Sequence, residues 1–259
     1  MLVRTMGALT VAAVLMAQTP VNDPVARYKQ GHSRHGEAFD VGPRTRPVEM
    51  REIGSVHFEI TTKNPEVQKW FDQGLTLLHS FWYYEAERAF RWCLKLEPEN
   101  AMAWWGLARS VPDEKRGREF IAQAVKRKDT VSERERLYIS ALEKMQNFDV
   151  FRDRSPDFRE RNREYRQVLE SICLKYPDEA EARAMLALAN MWSGEHYGTE
   201  LIIRELLARQ PKHPGGHHYR IHNWNYHEPE TALESCRRYG DIAPGIGHAL
   251  HMPGHVYAT

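Results

Sequence analysis

The 259-residue sequence has no apolar run of 18 residues or more, which excludes a transmembrane helix bundle. It has no excess of charge of either sign: 36 Lys and Arg stand against 35 Asp and Glu, for a formal net charge of +1. That balance argues against a nucleic-acid groove or a polybasic membrane surface. Cysteine is scarce. Cys93, Cys173 and Cys236 are far apart and lack a C-x-x-C partner, so neither a disulfide framework nor a cysteine zinc site is indicated. Each falls in an apolar helical pattern, where a thiol acts as a small hydrophobe. The H-E-x-x-H, G-x-S-x-G and Walker patterns are also absent, and Gly245-x-Gly247 alone carries no chemistry.

What is present begins with residues 1–18, where one positive charge, an apolar stretch from Met6 to Ala17 and a small residue before Gln18 resemble a secretory signal peptide. Export to the periplasm or the exterior is expected. Leu15 stands where cleavage prefers a small residue, which leaves an N-terminal anchor as the alternative. Residues 19–66 read as an extended arm, rich in Pro, Gly, Arg and His as far as residue 52. Within it, Val56–Ile60 alternates, as a short strand or an apolar strap over the first helix would.

From Val67 the chain acquires a period. Trp70, Gly74, Leu77, Ala86, Phe90, Cys93 and Pro98 fall at positions 4, 8, 11, 20, 24, 27 and 32 of a 34-residue unit starting at 67. This is the tetratricopeptide pattern of two antiparallel helices, with small residues where they cross and proline ending the second. A second unit starts at Ala101. Pro98, Pro177, Pro211 and Pro244 are separated by 79, 34 and 33 residues, and an ordinary bundle would not keep that ruler. The expectation is an all-α solenoid over 67–259, with repeats at about 67–100, 101–134, 180–213 and 213–246. Irregular helices fill 132–177, and a partial unit covers 247–259. The last unit stops within its first helix, so the chain reads as a C-terminally truncated fragment, and the helix from about Gly247 is expected to expose Leu250, Val256 and Tyr257 where a second helix would pack.

Several stretches then carry a resemblance: Phe71-Asp-Gln-Gly-Leu75, Leu78-His-Ser-Phe-Trp-Tyr83, Ala101-Met-Ala-Trp-Trp-Gly106, His213-Pro-Gly-Gly-His-His-Tyr219 with Ile221-His222, and Ala243-Pro-Gly-Ile-Gly-His-Ala-Leu-His-Met-Pro-Gly-His255. From about residue 55 onward the chain resembles a group of bacterial, often exported, mostly uncharacterised tetratricopeptide proteins. The resemblance implies fold and compartment, and no common reaction.

Histidine is the one enriched chemistry. Eight of the 13 fall between His213 and His255. His218 and His222 form H-x-x-x-H, as do His251 and His255, and the two pairs are offset by 33 residues, the same as Pro211 from Pro244. They therefore occupy equivalent places on two successive first helices, where residues i and i+4 share a face. With His248 they form a five-imidazole candidate site for a divalent transition metal, whether zinc, copper, nickel or iron. Pro253 complicates the second pair, since a helix there must start late or kink. His213, His217 and His227 read as loop, cap or supporting residues. Phe71 and Trp105, at position 5 of their repeats, are expected to face the concave groove and grip an apolar side chain of a protein or peptide partner. Two functions follow from these residues. One is a partner-binding scaffold with a histidine-lined patch; the other is a metal-dependent enzyme framed by the solenoid.

Overall fold

Four prolines stand two residues beyond the ends of four helices. In a computed structural model, which describes residues 41–145, 156–191 and 193–258, helices end at Leu96, Lys175, Arg209 and Ile242, just ahead of Pro98, Pro177, Pro211 and Pro244. In each case the next backbone N–H bonds a carbonyl four residues back: Glu97 to Cys93, Tyr176 to Ile172, Gln210 to Leu206 and Ala243 to Tyr239. The proline that follows has no N–H to continue the ladder. Helix starts are equally local. Asn64, Asn100, Asp113 and His213 each accept a first-turn N–H with the side chain.

The helices are α1 (Pro65–His79), α2 (Tyr83–Leu96), α3 (Ala101–Ser110), α4 (Glu114–Lys126), α5 (Glu133–Met145), α6 (Pro156–Lys175), α7 (Ala180–Met191), α8 (His196–Arg209), α9 (Pro214–Trp224), α10 (Leu233–Ile242), α11 (Gly247–His251) and α12 (Pro253–Tyr257). Successive helices pack as pairs, and each pair stacks on the next. The described residues contain no strand, and the architecture is an α-solenoid. The signal-peptide reading of residues 1–18, the arm as far as residue 40, residues 146–155 and Trp192 lie outside the described residues.

Small residues set the crossing of the first two repeats. A Cβ on Gly106 would lie 2.4 Å from the Phe90 ring, and one on Gly74 would lie 2.8 Å from it. Both glycines make room for one fully buried phenyl group.

The segment 56–60 is a strap. It is extended and pairs with side chains of α1 in place of another strand. The Val56, Phe58 and Ile60 N–H groups donate to Thr76 Oγ1 (3.2 Å), Asp72 Oδ1 (3.1 Å) and Gln68 Oε1 (3.0 Å). Two residues of extended chain advance about 6.6–6.8 Å and four residues of helix about 6.0 Å, so alternate strap amides meet every fourth helix residue. The strap drives Phe58 onto Phe71, Trp105 and Tyr138, at ring-centroid distances of 5.8, 6.3 and 5.0 Å.

This corrects the groove assignment. Phe71 and Trp105 do not line an open surface; they are 0% and 1% exposed. The apolar side chain they grip is Phe58 of the same chain. A second correction concerns the last helices. Leu250 and Tyr257 are exposed, at 58% each, but Val256 is buried because α12 packs against α9 and α10.

Candidate metal centre

The site is built where α9 meets α11 and the turn after α1. α9 starts sharply: His213 caps it and Pro214 occupies its first turn, where a missing N–H costs nothing. His217, His218 and His222 then project from one helix. α11 brings His248, and the chain breaks at Met252 because Pro253 opens a new helix in place of continuing the old one.

His218 is fully buried, and its protonation follows from its partners. Its Nδ1 lies 2.6 Å from the backbone carbonyl of His79, which can only accept, so Nδ1 carries the proton. The lone pair of the neutral ring therefore sits on Nε2, which lies 3.0 Å from Nε2 of His248. His222 Nε2 is buried with no hydrogen-bond partner among the described residues. The ligand nitrogens of His218, His222 and His248 all lie within 4.8 Å of one another. A metal-bound histidine characteristically donates its other N–H to a carbonyl or carboxylate, as His218 does here.

Electrostatics keep the three rings neutral. Burial pushes the His218 imidazole well below its usual range, and the neighbouring His222 and His248 push the same way. Burial, then His248 and His255, take His222 down to about 4. His248 is lowered by burial and by His251 and His255. Neutral imidazole is the form that binds metal. Phe81 roofs the group, its ring centroid 4.4, 5.5 and 6.0 Å from those of His218, His222 and His248. It holds a positive φ of 57°, a strain on the order of 1–3 kcal/mol for such a side chain. Tyr239 stacks on His218 at 5.3 Å.

The five candidate histidines are thus divided. His218, His222 and His248 converge. His251 and His255 form their own exposed pair, with Nε2 atoms 3.0 Å apart.

Behind the centre lies a second buried group, His79, Glu181 and His213, whose donors are also close enough for an ion. Its hydrogen bonds give it another role. His213 Nδ1 accepts the Gly216 N–H at 3.1 Å, which places the His213 proton on Nε2, pointing at Glu181 Oε1, 2.9 Å away. His79 Nε2 donates to Glu181 Oε2 at 2.6 Å, and His79 Nδ1 accepts the Tyr219 hydroxyl at 2.8 Å. Burial alone would raise the Glu181 carboxyl, but His79 and His213 hold it below the usual range. The carboxylate is an anchor for two N–H donors, and it orients His79, whose carbonyl orients His218. Close packing depends on Gly215, where a Cβ would fall 2.7 Å from His79 Nδ1.

His217 is likewise satisfied, between the Pro211 carbonyl (2.9 Å) and the Ser235 hydroxyl (3.0 Å). His227 packs on His196 at a centroid distance of 3.9 Å. Sequence reasoning missed His79, Glu181 and Phe81. Glu181 is at position 2 of the unit starting at 180, a groove-facing place, which was the available signal. His79 ends α1 and Phe81 follows in the turn after it, both outside the histidine-rich region, and nothing in the stretch Leu78–Tyr83 marked them as part of the site.

No family model matches this chain, and no curated protein matches it. Among solved structures it is similar to the crystal structure of a thermophilic tetratricopeptide-repeat protein of Thermus thermophilus. The TM-score is 0.52 and the identity 18%, over 74% of this chain and 100% of that one. At that identity the likeness concerns the fold: the helix pairs stack as a tetratricopeptide-type solenoid.

Proposed function

We propose that the chain is an exported tetratricopeptide scaffold that holds a transition-metal ion at His218, His222 and His248 and engages a protein or peptide segment on its concave face. The observation that carries this reading is the convergence of three neutral imidazoles, one oriented through its far nitrogen and one with a buried nitrogen that has no other partner. An all-nitrogen set suits zinc, copper, nickel or iron. Three ligands leave a coordination position for a partner side chain or a water. The leader at 1–18, its role as signal or anchor, and the repeat boundaries belong to the same reading.

On the concave side, the strap occupies the place at Phe71 and Trp105. The partner is therefore assigned to the inner surface nearer the histidines. The test is elemental analysis of the purified chain. Stoichiometric metal supports the centre, and metal-free protein that takes up none of the four ions overturns it.

A second reading, a metal-dependent enzyme, is favoured by the open position next to the Tyr219–His79–Glu181 hydrogen-bond chain. It requires turnover that is lost with the metal and restored on its return.

A further inference from the structure

A cavity of about 480 Å³ lies between the arm and α2, elements that carry none of the site histidines. Five cationic side chains line it, Arg44, Arg46, Arg88, Arg91 and Lys95, and among the described residues no carboxylate does. Trp92 forms part of the same wall.

The cations are held in place by different means. Arg88 is fixed by Glu85 at 2.9 Å and by Thr45 of the arm. Arg91 is fixed by Glu87 at 2.6 Å and by the Val41 carbonyl. Arg46 and Lys95 pack on the Trp92 ring, 5.1 and 3.8 Å from its centroid. Like charges gathered in one concavity repel one another, and they focus a positive field into it. A positive field in a concavity calls for an anionic ligand. Forked guanidinium donors match the geometry of phosphate oxygens.

We propose that this cavity binds a soluble phosphate compound, with Arg44, Arg46, Arg88, Arg91 and Lys95 surrounding the phosphate oxygens. The proposal is independent of the metal centre. Arm and helix create the site together: α2 supplies one wall, and Arg44 and Arg46 close the other. Neither stretch binds an anion without its counterpart.

The experiment is calorimetric titration of the whole chain with pyrophosphate at low and moderate salt, repeated on Arg46→Gln and Lys95→Gln. Circular dichroism checks each fold. The expected result is saturable one-to-one binding that weakens with salt. Arg46→Gln or Lys95→Gln should weaken it about tenfold, the loss of one charge-assisted bond. Absence of saturable pyrophosphate binding overturns the proposal, as does unchanged affinity in the folded Arg46 and Lys95 variants. Binding confined to phosphatidylglycerol vesicles, with none to pyrophosphate, overturns the soluble-ligand assignment.

Discussion

The backbone carbonyl of His79 accepts the Nδ1–H of His218 at 2.6 Å, across 139 residues of chain. One bond thus sets both the tautomer and the direction of a candidate ligand. It ties the turn after α1, where Phe81 holds its positive φ, to the helix that carries the histidines. The carbonyl is itself held in place because the His79 ring is clamped between Glu181 and Tyr219.

Metal binding should separate the two histidine groups. Replacing His222 and His248 together by alanine should abolish stoichiometric metal while leaving helical content unchanged, since the core does not depend on either ring. Replacing His251 and His255 should leave the bound metal in place. Elemental analysis of both double variants decides, and the reverse pattern would place the ion at the exposed pair.

Stability of the metal-free protein should fall with acid over a particular window. His222 is held at about 4 in the folded chain, against a reference near 6.5 when unfolded. Between these values the unfolded state binds the extra proton, so stability rises with pH. The contribution is fully present above about pH 6.5, declines as pH falls, and reaches its floor near pH 4. Lowered His79, His217, His218 and His248 act in the same direction. Denaturant melts of the stripped protein across that range should show it, and a flat profile would contradict the burial of these rings. Saturating metal should lift the whole curve and steepen its fall with acid, because metal-bound rings take up no proton while the unfolded chain still does.

Gly106→Ala should destabilise the first two repeats. The added Cβ would sit 2.4 Å from Phe90, inside any permitted contact, and overpacking of this kind costs about 1–3 kcal/mol or more. Adding Phe90→Leu should restore part of that loss. A thermal melt of the single and double variants tests the compensation.

Phe58→Ala should cost about 3–5 kcal/mol, the range for emptying a buried phenyl site. It should also free the strap, since its amides hold α1 only while the ring anchors the register. Faster hydrogen exchange at Val56, Phe58 and Ile60, with little change in α9, is the expected signature. Uniform protection across the variant would show that the side-chain ladder of Gln68, Asp72 and Thr76 suffices alone.

Glu181→Gln should lower the melting temperature by more than an exposed substitution does. An amide has one accepting oxygen, so one of the His79 and His213 N–H donors would face an NH2 group and lose its bond, at about 1–3 kcal/mol. If metal uptake also weakens while His218 is intact, the carboxylate acts on the centre through His79.

Much of the solenoid was legible because its signals are local. Proline stops, Asn and Asp caps and small residues at crossings each act within one or two turns, and the prolines at 177, 211 and 244 also keep the repeat spacing. The pairing of His218 with His222 was legible for the same reason, as i and i+4 on one helix. The role of Phe71 and Trp105 was misread. Both are buried against Phe58, and no pattern in the arm said that this ring would be bound there.

The amino-acid sequence by itself determined the helix pairs, their ends and the cluster of imidazoles on α9 and α11, because hydrogen-bond ladders and side-chain periodicity depend on near neighbours. Only the tertiary structure decided that His248 joins His218 and His222 while His251 and His255 turn to each other, that Glu181 anchors His79 and His213, and that the strap fills the groove. Those outcomes depend on which nitrogen of a ring carries its proton and on which carbonyl or carboxylate faces it. That partner is supplied by a segment as much as 139 residues away, and becomes a neighbour only once the repeats have stacked.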